Sequence, residues 1–303
     1  MFLRLIPQIF FHDLTPILIA IAAGWFLGKR WNVPPQPLAR ASFYVLNPSL
    51  VYISLSRSDI GGAELVRFLG FAATVPLTAG MLTFLLSRAL RLSTLERTAL
   101  MLTAMFVNAG SYGLGVVQRA FGEAAMAWAV LFFMTNNLLL NTVGLLLTFH
   151  GGGRVGWRQA LSLPALYAAL AAALVRLTRW HPPEPLEAGV ALLSRGAIPL
   201  LLMVLGLELS RARLENRRAL IGLATAWRLA VMPATAVLLA RAWGLEGPAW
   251  QAGILESAMP AAISGVVMAV EFGVYPHTIA GVILLSTLLS PLTLSLWIAW
   301  LRG

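Results

Sequence analysis

The stretch VNAGSYGLG, residues 107–115, puts an asparagine and three glycines inside a run otherwise apolar enough for a membrane helix. Asn108, Gly110 and Gly113 each weaken helical structure. Backbone that leaves the helix at membrane depth is tolerated only where protein or a water-filled cavity covers it. A second stretch, AMPAAISGVV at 258–267, carries a proline at the matching place. Pro260 has no N–H to donate and clashes with the preceding turn. At an offset of 151 residues Asn108 falls on Met259 and Ala109 on Pro260. Two helices broken near their middles, at corresponding places in the chain, are expected to cross near the membrane midplane. Their second halves would aim N-terminal N–H groups at one region, which suits an anion. Their first halves would present carbonyls there, which suits a cation or a hydroxyl.

The rest of the chain fits this frame. Of 303 residues 59% are hydrophobic and 11% charged, and the mean hydropathy is +0.80. Apolar runs of about 20 residues, each long enough to span the bilayer, recur from end to end. We read an all-α membrane protein of ten helices, at 12–28, 38–56, 62–87, 97–121, 123–149, 157–178, 186–208, 217–242, 248–272 and 277–301. The first run, with Asp13 and Pro16 and no small-residue cleavage site, reads as a retained helix rather than a signal peptide. The net charge of +10 lies in short clusters between apolar runs, without the basic, aromatic-laced patch of a nucleic-acid binder. There is no cysteine, hence no disulfide or thiolate metal site.

The chain repeats itself. Phe121-Gly122 matches Phe272-Gly273, Pro48 matches Pro199, Val116 matches Val267, Thr135 matches Ser286 and Thr142 matches Thr293, all at the same offset. This divides the chain into a first five-helix repeat at 1–149, a linker at 150–156 containing Gly151–Gly153, and a second repeat at 157–303. An odd number of crossings inverts the second repeat relative to the first. Basic residues favour the loops after the odd-numbered helices (Lys29, Arg30, Arg40; Arg88, Arg91, Arg97; Arg154, Arg158; Arg211, Arg213, Arg217, Arg218). By the positive-inside rule both termini then face away from the cytoplasm. Trp25, Trp31, Trp157, Trp180, Trp243, Trp250, Trp297 and Trp300 near helix ends read as an aromatic belt.

Polar residues at depth extend the candidate site. The substrate-binding set is Asn108, Ala109, Gly110, Ser111, Tyr112, Gly113, Met259, Pro260 and Ala261, with Asn137, Asn141 and Arg228. Glu256, shortly before the second break, is the candidate ion-coupling residue, since a carboxylate in a membrane needs a partner or a function. Arg228 is either its structural partner or the group that draws in an anion. Asn137 and Asn141, in TNNLLLNTVG at 135–144, either line the crossover or hydrogen-bond its freed backbone. Arg195 reads as structural or water-facing. Asn47-Pro48-Ser49 and Ile198-Pro199 break helices 2 and 7 as kinks facing the site, and His12, His150, His181 and His277 read as interfacial. No HExxH, Walker loop or carboxylate pair is present, so an enzyme has no visible machinery.

NAGSYGLG with FGE after it, MPAAISGVVMAVEFGVYPHT at 259–278 and STLLSPLTLSLW at 286–297 resemble the auxin efflux carrier family over nearly the whole chain. The resemblance implies two inverted five-helix repeats, with helices 1, 2, 6 and 7 as a scaffold that dimerises. Helices 3–5 and 8–10 would form a transport domain with elevator-like alternating access. It also implies a multi-pass protein of the inner (plasma) membrane that moves a small organic anion such as a mono- or dicarboxylate, possible export included. Where plant members carry Asn-Pro this chain has Met259-Pro260, so auxin recognition does not transfer. The run ESAMP (256–260) is distantly similar to the Glu-x-x-x-Gln of bile acid sodium symporters, which implies Na+ or H+ as coupling ion near Glu256, with Pro260 in place of the Gln. No other cofactor is expected, and the lipid bilayer and a second copy are the expected partners. The alternatives are an ion-coupled symporter of that related fold and an anion channel.

Overall fold

The computed structural model describes residues 2–148, 163–180, 182–212 and 217–303. The linker 150–156, the predicted start of helix 6 at 157, Arg158, His150, His181 and Arg213 lie outside them. The described residues are helical and contain no named strand. Among the described residues six helices are long and apolar enough to cross a membrane: α1 (Leu5–Trp31), α3 (Gly62–Ala89), α5 (Glu123–Thr148), α7 (Glu184–Arg211), α8 (Arg218–Ala242) and α10 (Pro276–Arg302). Between them lie α2 (35–56) and α6 (Pro164–Thr178). Two further helices are each in two pieces: α4a (Thr94–Met105) with α4b (109–121), and α9a (Gly247–Ser257) with α9b (Ser264–Phe272). No single piece of α4 or α9 could span a bilayer.

Prolines shape the helices without ending them. In α1, α2 and α8 a widened π turn (Phe10–Leu14, Ser42–Leu46, Trp227–Val231) precedes Pro16, Pro48 and Pro233 by two residues. A proline supplies no N–H to the carbonyl four residues back, and the residue before it donates five back instead, as Thr15 does to Phe10. The freed His12 carbonyl accepts from Arg119 of α4b at 2.6 Å. The expected breaks at Pro48 and Pro199 are corrected: α7 is continuous through Pro199, and α2 passes Pro48 by way of its π turn. The cause is that a single missing donor is absorbed by a local change in hydrogen bonding.

Packing places two sets of helices around the breaks. α1 and α7 meet backbone to backbone: a Cβ at Gly24 would strike the Met203 main chain, and one at Gly206 the main chain of Ile21 and Trp25. α8 is pinned to α3 by two indoles, Trp227 Nε1 on Thr83 Oγ1 and Trp243 Nε1 on Thr74 Oγ1, each at 3.0 Å. α10 returns to α1 through the Arg302–Asp13 ion pair at 2.8 Å. On the exposed side of α4a, Ser93 and Glu96 form a capping box, and Glu96 also pairs with Arg217 at 2.7 Å. Trp25, Trp31, Trp180 and Trp300 remain exposed near helix ends, where amphipathic rings suit the interface.

Candidate functional site

The two breaks meet. Residues 106–108 separate α4a from α4b, and 258–263 separate α9a from α9b. Over these segments the chain is extended enough to pair antiparallel, Val107 opposite Ala261. The Asn108 N–H donates to the Pro260 carbonyl at 2.9 Å, and the Ala262 N–H to the Phe106 carbonyl at 3.0 Å. Each break therefore satisfies the backbone groups of the other, which is how non-helical chain survives in an apolar interior. The neighbouring helices brace them. Asn136 of α5 donates its amide to the Val107 carbonyl at 3.1 Å and accepts from the Val107 N–H at 3.5 Å. Ser286 of α10 accepts from the Ala261 N–H at 3.3 Å.

Arg228 ties the first halves together. The π turn of α8 carries its fully buried guanidinium to the ends of both α4a and α9a. One terminal nitrogen donates to the Ala104 carbonyl at 2.6 Å and the other to the Ser257 carbonyl. Both carbonyls belong to helix C-termini, where unpaired C=O groups and the dipole favour a cation. Arg228 and Glu256 form no ion pair, so the structural-partner reading of these two residues is not what the geometry holds.

Glu256 is buried in the last turn of α9a, and neither carboxylate oxygen has a hydrogen-bond partner among the described residues. Its carboxylate lies against Gly113 in the first turn of α4b, so closely that a Cβ there would overlap it. Asn108 caps that turn, its carbonyl accepting from Gly113 and Tyr112 at 3.0 and 3.3 Å, while its side-chain Nδ2 is buried without a partner among the described residues. Tyr112 is buried and its hydroxyl accepts from Ser290 at 3.3 Å. The pairing thus gathers Asn108, Ala109, Gly110, Ser111, Tyr112, Gly113, Met259, Pro260 and Ala261 around one crossing, with Glu256 and Arg228 against it.

Asn137 and Asn141 are not part of that gathering. Asn141 donates to the carbonyl and side-chain oxygen of Asn137 at 2.8 and 3.1 Å, and Asn137 faces an apolar groove shared with α6. The bracing amide is Asn136, one residue earlier. The run of three asparagines in TNNLLLNTVG pointed to the right helix but, without its rotation, not to the right face.

Two cavities flank α7. The larger, about 1050 Å³, opens among the loops at 57–60 and 244–246 and reaches down to Ile198 and Pro199. The smaller, about 510 Å³, lies near the C-terminal end of α7, between Glu208 and the start of α10 at His277. No residue of either break lines the larger cavity, and of the two breaks Ile263 alone lines the smaller. Ile198 in the floor of the larger one packs against Gly115 of α4b.

Residues 148–298 match the family described as Membrane transport protein. The chain is 28% identical over 289 residues to an uncharacterized transporter of Methanothermobacter thermautotrophicus, covering 93% of this chain and 95% of that one. It is 25% identical over 294 residues, 92% of each chain, to a Rhizobium meliloti protein named "Putative malonate transporter". It is 24% identical over 312 residues to the uncharacterized transporter YfdV of Escherichia coli, covering 95% of this chain and 96% of that one.

Proposed function

We propose that this chain, a membrane transporter belonging to the auxin efflux carrier (membrane transport protein) family, is a secondary carrier that moves a small organic anion through the crossing of α4 and α9. The observation that carries this reading is a pair of buried groups at that crossing with no partner among the described residues, the Glu256 carboxylate and the Asn108 amide nitrogen. Unpaired polar groups in an apolar interior are costly, and ones gathered at broken helices have a ligand as their natural complement. The first turn of α4b offers the anion its helix N-terminus. Glu256 lies against the same turn, and two negative charges so close repel. An anion therefore binds best when Glu256 has taken up a proton or sodium ion, which makes transport ion-coupled. The malonate transporter name of one relative supports a mono- or dicarboxylate as cargo.

Ten membrane-spanning helices in two inverted five-helix repeats complete the reading. It is supported by the antiparallel pairing of Val107 with Ala261 and by the corresponding braces from α5 and α10. A floor at Ile198 closing the larger cavity favours alternating access over an open channel. Elevator motion of α3–α5 and α8–α10 against a dimeric scaffold of α1, α2, α6 and α7, in the inner (plasma) membrane with both termini non-cytoplasmic, belongs to the same proposal.

The test is counterflow in proteoliposomes with labelled malonate and with monocarboxylates, each with and without sodium and at two pH values. Saturable exchange that depends on one of the ions is the expected result. Non-saturating current without counterflow would establish a channel.

A further inference from the structure

α7 carries a charge at mid-length. Arg195 lies about 16 Å along the axis from the helix start at Glu184, at 1.5 Å per residue. A charge at that depth in a membrane-crossing helix needs a counter-charge or water. Among the described residues the ion pairs are Arg57–Glu187, Arg217–Glu96 and Arg302–Asp13, and none involves Arg195. Arg195 is instead exposed and lines the 1050 Å³ cavity. That cavity continues one turn past it, to Ile198 and Pro199, so Arg195 stands between mouth and floor. The floor residue Ile198 lies on Gly115 of α4b, next to the turn on which the crossing is built. Pro199 cannot donate to the Arg195 carbonyl, so that backbone also favours water on this face. The carboxylates of the cavity wall come from the loops and helix starts at its mouth, such as Asp59 and Glu246, where bulk water screens them.

We infer that Arg195 is a carboxylate-binding residue of the open cavity, and that it holds the organic anion one turn above the floor before the anion reaches the crossing. A guanidinium fork is the side chain best matched to a carboxylate, through two parallel hydrogen bonds. The inference rests on the organic-anion reading above and adds to it a second, earlier station. It also separates the two arginines at depth: both terminal nitrogens of Arg228 are engaged by backbone carbonyls, and those of Arg195 have no hydrogen-bond or ion-pair partner among the described residues.

The absence of cysteine makes the test clean. Ala191, one turn toward the mouth, lines the same cavity, and Ala191→Cys places a single thiol beside an intact Arg195. An anionic, membrane-impermeant thiosulfonate should modify it, and malonate should slow the modification several-fold. Adding Arg195→Gln should remove that protection. Arg195→Gln alone should raise the KM for malonate by ~10- to 100-fold, the worth of charge-assisted hydrogen bonds. Its Tm should stay within about 2 °C, since no partner among the described residues is lost, and Arg195→Lys should recover part of the affinity. A thiol that does not react, one that malonate does not protect, or an unchanged KM in Arg195→Gln overturns the inference. Wild-type protein that neither moves nor binds any mono- or dicarboxylate overturns the organic-anion reading itself, before any variant is made.

Discussion

The backbone nitrogen of Asn108 and the backbone oxygen of Pro260 lie 2.9 Å apart, and this bond joins the two broken helices across the molecule. It uses none of the Asn108 side chain. The Asn108 amide nitrogen is buried without a partner among the described residues, so its removal breaks no hydrogen bond they make. Asn108→Ala should keep its Tm within about 2–3 °C, since the truncation is small and breaks no side-chain hydrogen bond seen among the described residues. Malonate exchange should fall by at least ~10-fold, the loss of one ligand hydrogen bond. A large drop in Tm with normal exchange in the protein that survives would assign the side chain to packing.

Arg228 has the opposite profile. Its removal strands the carbonyls of Ala104 and Ser257, which it now engages in the interior. Arg228→Met should destabilise by about 2–4 kcal/mol, from two unsatisfied acceptors less the relief of a buried charge. Arg228→Lys should recover only part, because one ammonium cannot span both helix ends as a fork does. Thermal unfolding in detergent reads this directly. A folded Arg228→Met with unchanged Tm and no transport would return Arg228 to the substrate.

Glu256→Gln keeps the shape of the residue and removes its charge. If Glu256 must be neutralised before the anion binds, the variant should exchange malonate with its dependence on sodium or pH lost. Because Glu256 and Arg228 do not pair, adding Arg228→Gln should not restore stability or coupling. Full ion dependence in Glu256→Gln would place the coupling site elsewhere.

Gly113 tests the contact itself. A Cβ at this position overlaps the Glu256 carboxylate, so Gly113→Ala should cost about 1–3 kcal/mol, as overpacked interiors do. Truncating the opposing side chain with Glu256→Ala should relieve most of that cost. A coupling energy near zero in the double-mutant cycle would mean that the two residues do not touch.

Asn136 and Asn137 form a matched pair of controls. Asn136→Ala removes both bonds to the Val107 backbone and should destabilise by about 1–3 kcal/mol. Asn137→Ala, on the α6 side, should fall within about 1 kcal/mol of wild type. Equal effects would mean that the braced break contributes no stability of its own.

The breaks were legible because helix breakers are local. Asn108, the glycines and Pro260 announce themselves in any apolar run, and the two stretches they mark pair with each other in the structure. What the sequence could not convey was rotation. Whether Asn136 or Asn137 faces the crossing depends on a turn of about 100° per residue, set by packing along all of α5. A pairing of Arg228 with Glu256 was one of two readings open for them, because opposite charges at depth often pair. The structure spends Arg228 on helix ends instead, a role that depends on where α4a and α9a stop. Prolines were over-read in the other direction: Pro48 and Pro199 looked like breaks, yet a helix tolerates one missing donor where it can widen or let water in. Arg195 was visible, but its cavity is built from loops far apart in the chain.

The bond partners of the first break are made late. Val107 pairs with Ala261, and at ~5–20 residues per second roughly 8–30 s of synthesis separates the two. Through that interval the α4 backbone lacks the acceptor at Pro260 and the donor at Ala262 that it has in the finished protein. The nascent chain must therefore hold an incomplete helix at the translocation site, wet or shielded by another protein, until its last helices arrive. A chain truncated before residue 258 would lack those partners permanently and should be cleared by the cell's quality control, although its first five helices are intact in sequence.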